Sequence, residues 1–238
     1  MPDLWTAARL RLLMESLVSK DLKVRYKRSV LGFAWFLLKP LFSMVVYYFV
    51  FTRVLRFGGG IPHYSLFLLT GLLPWNFFAS SLSASTSSLL DNHRLIRSIY
   101  FPRMCLPLAE VAANMVHLAL ALAVLEAVLL TAGHVPGVSL LLVAPAVLLL
   151  AMMTSGAAML LSIGNVFYRD VRQFVEVILL AWFYASPVIY PLDSAGPRVI
   201  ESQRVVEILR LNPVSGFMEI MHHGMYSGTM PPGWCWLS

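Results

Sequence analysis

Long apolar stretches alternate with short polar ones along this chain, and their lengths match a membrane. A helix needs about 20 mainly apolar residues to cross a hydrocarbon core about 30 Å thick. Five segments are read as spans on that measure. The first covers about residues 32–54, with Lys39 two turns in, from where its amine can snorkel back to the headgroups. The second, residues 64–90, runs for 27 residues without one Asp, Glu, Lys or Arg. The third, about residues 104–132, carries Glu110, Asn114, His117 and Glu126. The fourth lies within the charge-free stretch 135–168, and the fifth, residues 173–190, has 18 residues with Glu176 near its start.

The flanking segments have a different period. Leu10, Leu13, Met14 and Leu17 recur at helical spacing with Arg9, Arg11, Glu15 and Lys20 between them. This predicts an amphipathic interfacial helix within residues 1–31, lying on the inner membrane surface. After the spans (32–190), Val199, Val205, Val206 and Leu209 suggest a short amphipathic helix, which Asn212-Pro213 breaks. A second short helix carries Phe217, Ile220 and Met221 and ends near Gly224. Two half-length helices predict a re-entrant hairpin over residues 191–230, tolerated only where protein or a cavity surrounds it. Residues 231–238 read as the opening of a sixth span, where the chain stops. The fold class expected is thus an all-α integral membrane protein of five to six transmembrane helices.

Charge fixes the expected orientation. Thirteen of the eighteen Lys and Arg residues fall in three alternate gaps. Arg9, Arg11, Lys20, Lys23, Arg25, Lys27, Arg28 and Lys39 precede or open the first span. Arg94, Arg97 and Arg103 follow the second, and Arg169 and Arg172 follow the fourth. Only Arg53, Arg56, Arg198, Arg204 and Arg210 fall on the other side. Basic loops stay cytoplasmic, so the N-terminus is predicted inside. Composition agrees: the chain is 58% hydrophobic and 13% charged, where soluble domains carry about 25% charged residues, and its mean hydropathy is +0.73. A pI near 9.5 could indicate nucleic acid, but cations beside apolar spans point to anionic lipid instead. Cys105 and Cys235 form neither a CxxC pair nor a metal-ligand spacing. The first thirty residues lack the apolar core of a cleavable signal.

Several constellations carry candidate chemistry. Glu110, Asn114 and His117 share one face of the third span, with Glu126 on another. An ionised carboxylate at a helix centre costs about 2.5–3.5 kcal/mol on insertion scales, so such residues face a bundle interior. They read either as a relay, substrate contact or catalytic pair, or as a structural polar network. Tyr47, Tyr48, Phe49 and Phe51 crowd the first span, Trp75, Phe77 and Phe78 the second, and Trp182, Phe183, Tyr184 and Tyr190 the fifth. They form either an interfacial belt with core packing, or rings lining a path on which sugars stack. Ser80, Ala84 and Ser88, spaced four apart, suit close helix packing. His222 and His223 with Glu219 lack a fourth partner for a metal site. No phosphate loop, GxSxG or HExxH is present, so any ATPase driving this chain is a separate protein.

Four stretches together carry a family resemblance: KDLKVRYKRSVLGFAWFLLKPL (20–41), GLLPWNFFASSL (71–82), GNVFYRDVRQF with ASPVIYPLD (164–193), and LNPVSGFMEIMHH (211–223). The chain resembles the permease subunit of type-2 ABC exporters of lipid-linked polysaccharide, of the O-antigen, capsule and teichoic acid kind. The resemblance implies a bacterial inner-membrane protein and a permease homodimer with a channel between its copies. Two ATP-binding cassette subunits, holding ATP and Mg, would dock on the inner face through Arg94, Arg97, Tyr100, Arg103, Tyr168, Arg169 and Asp170. No cofactor or metal would reside in this chain itself. Lys23, Arg25, Lys27 and Arg28 would meet the lipid pyrophosphate or headgroups. Tyr47, Tyr48, Phe51, Trp75, Trp182, Tyr184 and Tyr190 would line the glycan path, and the re-entrant segment would close the outer mouth. Members of the family end with a sixth span and a short inner tail, and the chain departs from them there. Alternatives are a drug or small-lipid exporter permease of the same superfamily, and a membrane enzyme on a polyprenyl-linked sugar with Glu110 and His117 as acid and base. A secondary transporter ranks third, since the two halves of the chain do not look alike.

Overall fold

The structure is a computed structural model and describes residues 7–26, 35–50, 63–133, 137–192 and 202–236. Every regular element among them is helical. In chain order these are α1 (Ala7–Tyr26), α2 (Trp35–Tyr48), α3 (Tyr64–Asp91), α4 (His93–Ser98), α5 (Cys105–Thr131), a 3-10 turn (Val138–Leu142) leading into α6 (Val143–Phe167), α7 (Val171–Tyr184), α8 (Gln203–Arg210), α9 (Pro213–Met221) and a π-helical turn (His222–Ser227).

Among the described residues three helices are long and apolar enough to cross a membrane: α3, α5, and α6 with its leading 3-10 turn. Their ends lie within a few residues of the second, third and fourth predicted spans. The helix α3 is the centre. It is buried over most of its length, whereas α5 and α6 each bury one side. In lipid the apolar effect does not draw helices together, so packing and interhelical hydrogen bonds must. The serine-rich half of α3 supplies the close contacts. The buried residues there are Ser81, Ser85, Thr86 and Ser88, while Ser80 is exposed and Ala84 half-buried. The packing face is therefore turned one position from the Ser80–Ala84–Ser88 stripe that spacing alone suggests. Ser85 donates to the Pro107 carbonyl of α5 at 3.0 Å, and Asn165 of α6 donates to the Thr86 carbonyl at 2.9 Å. These two bonds place the end of α3, the start of α5 and the end of α6 at one end of the bundle.

The helix α1 joins that end. Its apolar stripe is not left to lipid: Leu10, Leu13, Met14, Leu17 and Val18 pack on Phe101, Cys105, Leu106 and Ala109. Lys20 Nζ reaches Asn92 Oδ1 at 3.2 Å. Where the alternative cover is lipid, close packing around Leu17 and the Lys20–Asn92 bond hold the helix on its neighbours.

The fifth predicted span is shorter than its apolar run. The helix α7 has 14 residues, about 21 Å, and yields at Ala185 to a turn. Pro187 explains this, because proline has no N–H to donate and disfavours helical backbone in the residue before it. The first predicted span is represented by α2 and its continuation to residue 50, and residues 51–62 lie outside the described residues. At the other extreme, residues 233–236 make a 3-10 turn with Cys235 buried.

Candidate functional site

The two ends of the bundle differ in chemistry. At the end shared by α1, the residues after α3 form a capped ledge. Asn92 donates to the Ser88 carbonyl at 2.9 Å while its oxygen meets Lys20. The chain then alternates: Ile99 is half exposed, Tyr100 is 85% exposed and Phe101 is 5% exposed. Phe101 is thus the anchor that holds Tyr100 out. Arg94, Arg97 and Arg103 are exposed beside it. The α6–α7 link is equally tight. Tyr168 N–H donates to the Gly164 carbonyl at 2.9 Å and Val171 N–H to the Tyr168 carbonyl at 3.1 Å. Tyr168, Arg169 and Asp170 all project outward, with Phe167 exposed before them. The Asn165–Thr86 bond brings this link to the same end as the ledge. Two exposed tyrosines thus stand among exposed arginines, residue types that interface hot spots favour. Lys23 is exposed near the end of α1. The side chain of Arg25, and Lys27 and Arg28 entirely, lie outside the described residues.

The opposite end is built from the start of α3, the turn after α7, and the segment α8–α9 with its π-helical turn. Asn212 and Pro213 open α9 as cap and first residue, an arrangement that proline's fixed φ favours. Glu219 on α9 is wholly buried. Its Oε1 accepts the Leu192 N–H at 2.7 Å, and its Oε2 lies 3.6 Å from His223 Nε2. His223 Nδ1 and Thr229 Oγ1 share a 2.8 Å hydrogen bond. His222 is also wholly buried and stacks on Phe67 of α3 at 4.0 Å between centroids. Glu219, His222 and His223, weighed as metal ligands from sequence, therefore serve to fasten α9 to the Leu192 turn, to α3 and to Thr229. Among the described residues no three of His, Cys, Asp and Glu are placed to hold a metal.

Two glycines make this close approach possible. A Cβ at Gly71 would stand 2.8 Å from His222 Nε2 and 3.0 Å from the Val188 carbonyl, and one at Gly224 would stand 2.6 Å from Val143 Cγ2. Gly71→Ala is expected to cost about 1–3 kcal/mol through overpacking. Gly156→Ala, inside α6 where a Cβ meets nothing within 4 Å, is expected to melt at or slightly above the unchanged chain. Thermal unfolding of the two variants in detergent checks the contrast.

The aromatic set divides. Trp75 is buried, against Phe78 at 5.6 Å and Phe183 at 5.6 Å, so it packs the core of one chain rather than lining a path. Trp182 is half-buried, edge-on to Phe78 at 5.3 Å, and its indole N–H donates to Asn212 Oδ1 at 2.9 Å. Tyr184 is 64% exposed. Tyr190 is half-buried, and its hydroxyl donates to the Tyr184 carbonyl at 3.1 Å. Tyr47 and Tyr48 lie on α2, but their side chains, and all of Phe51, fall outside the described residues. Of the polar set on α5, Asn114 is buried and Glu110, His117 and Glu126 are half-buried. Sequence reasoning passed over Asn212 and Gly71. It read the first only as a helix breaker, although an Asn-Pro pair before an apolar run is also a helix-start signal.

Among the described residues, apolar helices form a bundle with a tyrosine- and arginine-bearing ledge at one end and a folded-in helical segment at the other, the build of a helical membrane protein. The ABC-2 type transporter family matches residues 13–226, and the chain belongs to that family. Its relatives include two proteins of Klebsiella pneumoniae named O-antigen export system permease protein RfbA. One is 38% identical over 182 residues, 76% of this chain and 70% of the relative. The other is 36% identical over 219 residues, 92% of this chain and 82% of the relative. A Myxococcus xanthus protein of the same name is 34% identical over 219 residues, with the same coverage. The chain is accordingly a transport permease subunit of the bacterial inner membrane.

Proposed function

We propose that two copies of this chain, with two separate ATPase subunits, export a lipid-linked polysaccharide of the O-antigen or capsule kind. The observation that carries the reading is the 36% identity over 92% of the chain to a protein named for O-antigen export. Geometry supports it in three places. The exposed Arg94, Arg97, Tyr100, Arg103, Tyr168, Arg169 and Asp170 share one end of the bundle and form the ATPase-docking surface. Basic residues concentrate at that end, which supports a cytoplasmic face there and an N-terminus inside. The α8–α9 segment, seated by Glu219 and His222 at the opposite end, is the re-entrant hairpin that closes the outer mouth.

In this reading the chain has five to six spans, and α1 lies at the inner surface with its apolar stripe on protein. Lys23, Arg25, Lys27 and Arg28 then meet the anionic lipid carrier, whose phosphates pair with cations. The rings at Tyr47, Tyr48, Phe51, Tyr184 and Tyr190 stack on the passing glycan. ATP and Mg act on the partner subunit, so the chain itself performs no hydrolysis.

Deletion of the gene tests the reading. The expected result is loss of surface polysaccharide, with lipid-linked glycan accumulating inside and both effects reversed by the restored chain. Surface polysaccharide at its normal level in the deletion strain would overturn it.

A further inference from the structure

The helix α7 begins directly after the link at Tyr168, Arg169 and Asp170 and ends about 21 Å away at the outer segment. Its hold on the bundle is slight along the way. Only Val175 and Leu179 are buried, while Phe174, Val177, Ile178, Leu180 and Tyr184 are exposed. Its outer end is different. Asn212, the residue that opens α9, uses its whole side-chain amide there. Oδ1 accepts from Trp182 Nε1 at 2.9 Å and from the Val214 N–H at 3.1 Å. Nδ2 donates to the Ala185 carbonyl at 3.0 Å and to Ser186 Oγ at 3.0 Å. An amide offers two lone pairs and two N–H groups, so its capacity is filled and its orientation set.

Three of the four bonds go to the last turn of α7 and the turn after it, and the fourth starts α9. A residue needed only as a helix cap would need only the fourth. From α9 the connection runs on through Glu219 to Leu192 and through His222 to Phe67. We infer that Asn212 is a positioning residue that ties α7 to the outer segment, so that movement of α7 at the inner surface is passed to α9 as one body. The inference rests on the exporter reading for what drives α7. It goes beyond it in naming the link.

The helix-cap role and the linking role separate by substitution. Aspartate caps a helix as well as asparagine. Asn212→Asp keeps the acceptor for Val214 and Trp182 but has no N–H for the Ala185 carbonyl. Ser186→Ala, added to it, removes the hydroxyl that could still donate. Trp182→Phe keeps the ring and the cap and cuts the other tie. Each variant is made in the full chain, expressed with its ATPase partner in the native strain. Three quantities are read: the partner co-purified, ATP hydrolysis by the purified complex, and surface polysaccharide labelled on intact cells after mild periodate oxidation.

The expected result is unchanged assembly and hydrolysis with surface polysaccharide reduced by about tenfold in Asn212→Asp/Ser186→Ala, the size of effect one to two lost hydrogen bonds give. Trp182→Phe is expected to fall between that variant and the unchanged chain. Normal export by both variants overturns the inference. So does a parallel fall in assembly, hydrolysis and export, which marks a residue that only holds the fold. If the unchanged chain co-purifies with no ATPase, the exporter reading itself fails, and the link fails with it.

Discussion

Glu219→Ala is expected to release the outer segment from the bundle and to lower stability by about 3 kcal/mol or more, the combined scale of an orphaned buried donor and a side-chain cavity. The carboxyl group is wholly buried and joins two pieces of chain: Oε1 accepts the Leu192 N–H after α7, and Oε2 lies 3.6 Å from His223. Alanine removes the acceptor of a buried N–H and leaves a cavity beside Met218, Ile220 and Met221, all fully buried. Glu219→Gln keeps an oxygen for Leu192 and nearly the same volume, so its effect is expected to be about a third as large. Thermal melts in detergent give the magnitudes. Protease added to the outer face of the membrane gives the location, with new cleavage expected between residues 191 and 232 in Glu219→Ala. A wild-type melt and cleavage pattern would show that the segment is held by other contacts.

Tyr100→Ala combined with Tyr168→Ala is expected to weaken ATPase association by about 30-fold or more, the loss typical of removing one interface hot spot. The two rings are 85% and 74% exposed, so neither supports the fold. Surface substitutions of that kind change stability by about 0.5 kcal/mol or less. The variant is therefore expected to melt like the unchanged chain while losing its partner on dilution. Partner retention at the unchanged level would move the docking surface elsewhere.

Much of this architecture was legible in the sequence. The ends of α3, α5 and α6 follow from apolar length and the polar residues that bound it. The basic ledge follows from the charge alternation that places Arg94, Arg97, Arg103 and Arg169 in two short gaps. What the sequence left hidden was orientation around a helix and long-range pairing. Trp75 and Tyr184 are both aromatic residues inside apolar runs, yet one is packed and the other exposed, because each faces according to neighbours far away in the chain. The apolar stripe of α1 reads the same whether lipid or Phe101 and Leu106 covers it. The fifth apolar run extends past Pro187, whereas α7 ends before it, at Tyr184. Gly71 looks like any glycine in a membrane helix until His222 is found against it, 151 residues later in the chain.

The central claim is that this permease works as a two-fold unit with a separate ATPase. Native mass measurement of the tagged chain, purified from its own membrane in mild detergent, tests it most directly. The account predicts a complex of two permease chains and two copies of a second protein carrying a phosphate-loop ATPase motif. A chain that emerges alone, or as an oligomer of itself without such a partner, would contradict it.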